Sequence, residues 1–180
     1  MDQNEIYEIN EKDEYRLKPV ISIFLIVALV IIDQITKIFA AAYLPNTPEG
    51  VSVVNGVLSL YYVENTGISF SLLASKLVLI IVVTSIIIAT LSYVLLATPK
   101  EKKYLPFSVT LAVIIAGAAG NLIDRIIRGY VVDFIKVDFI NFPIFNFADI
   151  CVCLGLFVLV ILIIFKYKEN DFRFIFKREK

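Results

Sequence analysis

The run LVLIIVVTSIIIATLSYVLLAT, residues 77–98, contains no charged side chain over its whole length. A helix needs about 20 predominantly apolar residues to cross the hydrocarbon core of a bilayer. This run reaches that length without help from its flanks, and so does a later run, Leu105–Ile123. Both runs are therefore predicted to form transmembrane helices.

Two further apolar runs reach the same length only if the charged residues at their ends lie at the membrane interface. The first covers residues 20–44 and carries Asp33 and Lys37, and the last, Ile150–Phe165, is preceded by Asp149. The composition agrees with a membrane protein, since 59% of the residues are hydrophobic, against about 45–50% apolar residues in soluble domains. The mean hydropathy is +0.83. The predicted fold class is mainly α and integral to the membrane, with four transmembrane helices.

We expect one membrane domain over residues 19–167, between an acidic tail, 1–18, and a basic tail, 168–180. The acidic tail has no basic segment leading into the apolar run and no A-x-A-like cleavage site. The first helix is therefore expected to be retained rather than cleaved as a signal peptide. The basic tail is expected to contact anionic lipid.

The distribution of basic residues predicts the orientation in the membrane. Twelve of the 17 Lys and Arg residues lie in the acidic tail, in the turn 98–104 and in residues 166–180. Because cytoplasmic segments carry an excess of Lys and Arg, both termini and this turn are expected to be cytoplasmic. The connections at about 45–76 and 128–147 then face outward.

Polar side chains collect at one depth in this topology, near the outer interface. The first and third helices run outward and the fourth begins outside, so their polar residues share that end. Ionisable groups at membrane depth are costly and suggest function. The residues concerned are Asp33, Lys37, Asn121, Asp124, Arg125, Asp133, Asn146 and Asp149.

The first outer connection is predicted to contain a β-hairpin, within a small extracytoplasmic β region at about 46–75. Residues Val51–Val54 and Val57–Val63 flank Asn55-Gly56, and Asn-Gly between apolar strands is a strong hairpin signal. The apolar segment Ile68–Ala74 is suited to rest on the bilayer surface. In the second connection, Gly129 is expected to cap the end of the third helix.

The polar positions of the first and third helices each allow two interpretations. Asp33 and Lys37 are spaced i, i+4 and either form an interfacial ion pair or position neighbouring site residues. Gly117, Asn121 and Asp124 share one face, which is either a packing face with an Asp–Arg pair or a support that orients catalytic groups. In the second interpretation, Arg125 offsets local negative charge.

Two aspartates further along the chain are also ambiguous. Asp133 is either a solvated loop residue or a functional acid, and the large apolar residues around it favour function. Asp149 lies three residues after Asn146, which is expected to be the N-cap of the fourth helix. An acid there suits the helix dipole, or it forms a carboxylate pair with a second aspartate.

A carboxylate pair would provide peptidase chemistry without a metal or a cofactor. Two close carboxylates share one proton, so one can deprotonate water while the other protonates an amide carbonyl. The chain has no histidine, which excludes Ser-His-Asp, Cys-His and His-ligated zinc sites. An oxygen-only Mg²⁺ or Ca²⁺ site remains an alternative. Within the pair, the helix dipole favours Asp149 as the base and Asp133 as the proton holder.

Other function classes receive less support from the sequence. There is no basic face with interleaved aromatic residues, so nucleic acid is not an expected partner. Cys151 and Cys153 do not share a helix face and are expected to be small apolar core residues rather than a disulfide or metal pair.

Five short blocks, in this order, resemble the lipoprotein signal peptidase (signal peptidase II) family. Members are bacterial membrane aspartic peptidases that cleave signal peptides from diacylglyceryl-modified prolipoproteins. The blocks are Asp33–Lys37, Glu64–Gly67, Gly120–Arg125, Val132–Ile135 and Phe145–Asp149.

The resemblance implies a catalytic dyad of Asp133 and Asp149, no cofactor, and cleavage just before the lipidated cysteine. It implies a β-cradle at the hairpin, a mobile outer loop around residues 128–145 that closes over substrate, and a location in the bacterial cytoplasmic (inner) membrane. The expected partners are prolipoprotein substrates and membrane lipid, and a monomer is expected. The residues that line or support the site would be Asp33, Lys37, Asn65, Gly67, Asn121, Asp124, Arg125 and Asn146.

The chain departs from the family at two positions that would alter pocket volume. Ile68 stands where the family has a small residue, and Ala116 stands where it often has glycine. Two rival functions follow from the residues alone. A small ion-coupled transporter would use the aspartates as a relay, although transporter sites lie near the midplane between repeats. A non-enzymatic assembly factor would tolerate Asp→Asn at both positions.

Overall fold

A computed structural model describes residues 18–67 and 74–176 of the 180. The expectations for Ile68, for most of the surface segment 68–74 and for the acidic tail lie outside the described residues. Within them, four helices are long and apolar enough to cross a membrane, as predicted. They are α1 (Lys18–Tyr43), α2 (Ala74–Ala97), α3 (Leu105–Arg128) and α4 (Phe147–Phe165).

Helix α3 is the central helix of the bundle. Its inward residues include Leu111, Ala112, Ile115 and Ala116, and none of these side chains is more than 4% exposed. The other three helices instead present large apolar side chains to the outside, as a membrane requires. Gly129 follows α3 with φ +80° and donates its N–H to the carbonyl of Arg125, which confirms the predicted cap.

Helices α3 and α4 approach closely because residue 117 has no side chain. A Cβ at Gly117 would lie 2.5 Å from the backbone oxygen of Ala148 and 3.0 Å from the Cβ of Cys151. We expect Gly117→Ala to destabilise the protein by about 1–3 kcal/mol, as overpacking does, measured by thermal unfolding in detergent. The matched comparison is Gly155→Ala, whose Cβ would lie 2.5 Å from the side-chain Cγ1 of Ile114 rather than from a backbone oxygen, so a smaller loss is expected. Equal stability of the two variants would contradict this account.

Three antiparallel strands form one small sheet, in the order β1, β2, β3. The hairpin prediction is confirmed by β1 (Val51–Val54) and β2 (Leu58–Asn65), which pair across the turn that contains Gly56. The third strand, β3 (Val131–Val137), comes from the second outer connection and pairs with β2.

The prediction that Asp133 lies in an outer loop over residues 128–145 is therefore wrong for residues 131–137. Strand β3 is held by pairing with β2 and by burial of Val132 and Phe134 against Ala40 and Leu44. Both causes are contacts between distant parts of the chain. After β3, Phe145 forms an isolated bridge with Ile135 and leads directly into α4.

The chain after α4 folds back onto the N-terminal end of α3. A 3₁₀ turn at Glu169–Phe172 and a short helix, α5 (Arg173–Phe176), follow α4. The Tyr167 hydroxyl donates to the carbonyl of Lys103 at 2.8 Å. This part of the predicted basic tail packs in an aromatic cluster of Tyr104, Phe107, Tyr167, Phe172 and Phe174.

Candidate active site

Asp133 lies on β3 with only 2% of its surface exposed. Its Oδ1 accepts a hydrogen bond from Asn146 Nδ2 at 2.6 Å, and its Oδ2 accepts one from Asn65 Nδ2 at 2.8 Å. Burial raises the pKa of the Asp133 carboxyl above its ordinary value, and the negative charge of Asp149 raises it further. The two asparagine donors oppose this shift. Asp133 therefore keeps a proton to higher pH than a solvated aspartate does.

Asp149 lies in the first turn of α4, where Asn146 is the N-cap, as predicted. The Asp149 N–H donates to Asn146 Oδ1 at 3.0 Å, and Asp149 Oδ2 accepts from the Asn146 N–H at 3.1 Å. This reciprocal pair is a capping box. Asp149 Oδ1 also accepts from Asn121 Nδ2 at 2.8 Å. The Asp149 carboxyl group thus receives two hydrogen-bond donors at the N-terminal end of α4.

Asn146 joins the two aspartates through its buried side chain and its backbone N–H. It donates to Asp133 Oδ1 through its side chain, and its backbone and side chain both bond Asp149. The same Nδ2 also lies 3.1 Å from Asn121 Oδ1. Asn146 is 0% exposed, so these bonds fix the two carboxyl groups relative to each other.

Lys37 lies beneath the asparagines and is completely buried. Its Nζ is 2.8 Å from Asn121 Oδ1, 3.0 Å from Asp33 Oδ2 and 3.1 Å from Asp124 Oδ2. The predicted Asp33–Lys37 pair is therefore present. All three Nζ hydrogens have an acceptor, which is the condition under which a buried ammonium is tolerated.

Asp33 and Asp124 connect this lysine to the backbone that carries the dyad. Asp33 Oδ1 accepts from the N–H of Ala148 at 3.0 Å, in the first turn of α4. Asp124 Oδ2 accepts from the N–H of Val132 at 3.2 Å, next to Asp133. Of the two interpretations of these charges, the geometry favours positioning, because each carboxylate binds the residue adjacent to a candidate catalytic aspartate.

The role expected for Arg125 as a partner of Asp124 is not what the structure shows. Asp124 Oδ1 pairs with Arg128, one turn later on α3. Arg125 donates to the carbonyl of Asn121 at 3.2 Å, and its buried Nε has no hydrogen-bond partner among the described residues. Arg125 lies within the electrostatic reach of Asp149 and Asp133, and its expected role of offsetting their negative charge stays a prediction.

Two further residues of the polar cluster were not singled out as site residues from the sequence. Gln34 Nε2 is 3.0 Å from Asp33 Oδ2 and 3.2 Å from the carbonyl of Gly120. Arg128 is the second. The only sequence signal for Arg128 was its i, i+4 spacing from Asp124, which is a common helix-surface pair.

Asn65 and Gly67 form the rim of an open groove beside Asp133. The Gly67 N–H donates to Asn65 Oδ1 at 2.8 Å, and Gly67 has φ +71°, a conformation that glycine adopts without strain. The fixed Asn65 side chain can then donate to Asp133. The groove is lined by Val63, Glu64, Asn65, Thr66, Gly67, Asp133, Pro143 and Ile144.

The described residues contain no group of three or more carboxylate or cysteine side chains arranged to hold a metal ion. Lys37 Nζ occupies the space between Asp33 and Asp124. Both cysteines are free, and Cys151 is buried as expected. Cys153 is exposed on the outside of α4, so its prediction as a core residue is wrong.

Comparison with known proteins gives consistent matches over most of the chain. A family model described as "Signal peptidase (SPase) II" matches residues 25–165. The lipoprotein signal peptidase of Lactiplantibacillus plantarum is 39% identical over 141 residues, which cover 78% of this chain and 92% of that protein. The lipoprotein signal peptidase of Caldanaerobacter subterraneus is 42% identical over 147 residues, covering 81% and 97%.

The fold is also similar to a solved structure. A bacterial membrane enzyme determined by the in meso method at 1.9 Å resolution superposes with a TM-score of 0.71 and 31% sequence identity. The match covers 81% of this chain and 94% of that one.

Proposed function

Since this chain belongs to the signal peptidase II family, we propose that Asp133 and Asp149 are its catalytic dyad. The chain is a multi-pass membrane peptidase that removes the signal peptide from diacylglyceryl-modified prolipoproteins, cutting just before the lipidated cysteine. The ion-coupled transporter is not favoured. The observation that supports the dyad most strongly is Asn146, which bonds both carboxyl groups while it is itself buried.

In the proposed reaction, the two aspartates have different starting protonation states. Asp149 is ionised and removes a proton from a water molecule. Asp133 is protonated and donates its proton to the carbonyl oxygen as that water attacks the carbonyl carbon. The tetrahedral intermediate then collapses, Asp149 passes its proton to the departing amide nitrogen, and Asp133 recovers a proton from the intermediate's hydroxyl group. Both aspartates return to their starting states.

The other site residues act on the dyad rather than on the scissile bond. Asn65 and Asn146 hold Asp133, and Asn121 holds Asp149. Lys37, with Asp33 and Asp124, fixes the backbone at the starts of β3 and α4. Arg125 balances part of the negative charge beside the dyad. Because these groups are fixed by packing before substrate binds, the site is preorganised for charge that develops during the reaction.

We further propose that both termini are cytoplasmic and that the dyad lies near the outer face, as the distribution of Lys and Arg predicts. A prolipoprotein would then enter laterally from the bilayer into the groove beside Asp133. Its acyl chains would remain in lipid while its peptide bond reaches water. The protein is proposed to act as a monomer.

The test of substrate class compares a diacylglyceryl-modified prolipoprotein with the same protein lacking the lipid. We expect the purified enzyme to produce, from the modified protein only, a fragment that begins at the lipidated cysteine, identified by mass spectrometry. Equal cleavage of both proteins, or cleavage at another bond, would contradict the proposal.

Asn65→Ala tests the proton-holding role of Asp133 through the pH dependence of kcat/KM. Loss of a donor to the ionised carboxylate raises the pKa of Asp133 further. Cleavage declines with rising pH as Asp133 loses its proton, so the alkaline limb should move to higher pH in the variant. Thr66→Ala, on the same rim, is the control and should leave the limb in place. An alkaline limb that stays or moves to lower pH in Asn65→Ala would reject this role.

A further inference from the structure

A second cavity lies between α1, α2 and α3, far from the dyad. It is lined by Ser22, Ile23, Leu95, Leu96, Thr98, Pro99, Lys100 and Ser108. Ser22 precedes Asp33 by eleven residues in α1, which at 1.5 Å per residue places it roughly 16 Å away along the helix. The cavity is therefore at the opposite end of the bundle from the active site, where the proposed topology places the cytoplasmic leaflet.

The lining combines buried hydroxyl groups with apolar walls. Ser22, Thr98 and Ser108 are 3%, 8% and 7% exposed and come from three different segments around the cavity. The Thr98 hydroxyl donates to the carbonyl of Val94 at 2.7 Å, so it can only accept a further hydrogen bond. The Ser22 and Ser108 hydroxyls are therefore the ones in this lining that can donate to an oxygen of a bound group. Ile23 and Leu96 line the cavity but are themselves largely exposed, so the cavity reaches the outer surface of the bundle.

The charge at the mouth of the cavity is positive. Lys100 lines the cavity and is exposed. Lys102 follows it in the same turn, against one acid there, Glu101, while Lys103 is paired with Asp171. Basic pockets between transmembrane helices on the cytoplasmic side are suited to anionic lipid head groups. A phosphodiester matches Lys100 and the hydroxyls, and acyl chains match the apolar walls.

We propose that this cavity binds one anionic phospholipid, with its phosphate at Lys100 and the hydroxyls of Ser22 and Ser108 and its acyl chains along Ile23 and Leu96. Helix α2 has little buried surface of its own in the bundle. A lipid held between α1, α2 and α3 would therefore attach α2 to the other helices and stabilise the fold. This binding is independent of the peptidase reaction, and Asp133→Asn should retain it.

The test is lipid retention by the purified full-length protein in detergent, measured by native mass spectrometry with phosphatidylglycerol or phosphatidylcholine. We expect one retained phosphatidylglycerol in wild type and a higher thermal midpoint with that lipid than with phosphatidylcholine. Lys100→Gln should weaken retention about fivefold, the effect of one basic residue near an anionic lipid surface. Ser22→Ala should weaken it as well.

The matched control is Lys102→Gln, which removes a charge from the same turn but does not line the cavity. Equal losses in Lys100→Gln and Lys102→Gln would reduce the effect to general surface charge and overturn the proposal. Equal retention of the two lipids, or the same stabilisation by inorganic phosphate alone, would also overturn it.

Discussion

Asp133→Asn and Asp149→Asn are each expected to reduce cleavage of a lipidated prolipoprotein by roughly 10³-fold or more, the scale of general acid–base catalysis. An amide at position 149 cannot accept the proton of the attacking water. An amide at position 133 cannot supply an acidic proton to the carbonyl oxygen. Either change therefore removes half of the proton transfer that the reaction needs, and the measurement is single-turnover cleavage with enzyme in excess.

The control for these variants is Asp138→Asn, a change of the same type beyond the end of β3. Asp138 accepts a hydrogen bond from Ser59 at 2.5 Å and contacts no residue of the proposed dyad network. We expect this variant to cleave at nearly the wild-type rate. All three variants should keep a cooperative thermal transition in detergent, because an asparagine occupies nearly the same volume as an aspartate. Near-normal cleavage by either dyad variant would remove that residue from the mechanism.

Lys37→Met is expected to have the largest effect on stability. Its loss removes the cation that pairs with Asp33, which is 1% exposed, and leaves the buried Asp124 with Arg128 alone. Removing one member of a buried ion pair costs about 3–5 kcal/mol. The variant should show a markedly lower thermal midpoint in detergent, and it should also lose cleavage because α4 and β3 are no longer held in place.

An exposed lysine provides the comparison for Lys37. Lys103 pairs with Asp171 at the other end of α3, but 44% of its side chain is exposed. Lys103→Met should cost much less stability than Lys37→Met, because exposed ion pairs contribute little. Adding Asp33→Asn to Lys37→Met should recover part of the lost stability, since Lys37 is the cation paired with Asp33, whereas Asp124 keeps its pair with Arg128. Equal losses of stability in the two lysine variants would show that the burial of Lys37 does not determine its contribution to stability.

Much of the fold could be predicted because its causes are local in the sequence. Uncharged runs of sufficient length specify transmembrane helices. Asn55-Gly56 specifies a tight hairpin, and Asn146 and Gly129 specify a helix start and a helix end. Each signal depends on residues within a few positions of one another.

The parts that were missed depend on contacts between distant residues. Strand β3 pairs with β2, which lies about 70 residues earlier, and its consecutive apolar residues lack the alternation that marks a half-buried strand. The fold-back after α4 depends on Tyr104, just before α3, and on Phe107, in the first turn of α3. Neither arrangement leaves a local pattern.

The site was predictable in its members but not in its connections. The spacing of Asp33 and Lys37 indicated a pair, but it could not show that Asp124 shares the same lysine. The residues alone left Asp133 and Asp149 with two interpretations each, one of them a carboxylate pair, and the family resemblance implied that they form the catalytic dyad. The use of Asn146 as the bridge between them appears only in three dimensions.

The most direct test of the central claim, that Asp133 and Asp149 act as one dyad, is a double-variant comparison. Single-turnover cleavage of a lipidated prolipoprotein is measured for wild type, Asp133→Asn, Asp149→Asn and the combined variant. Residues that act as a unit have non-additive effects, so the combined variant should be no slower than the slower single variant. Losses that multiply, or near-normal cleavage by either single variant, would contradict the dyad.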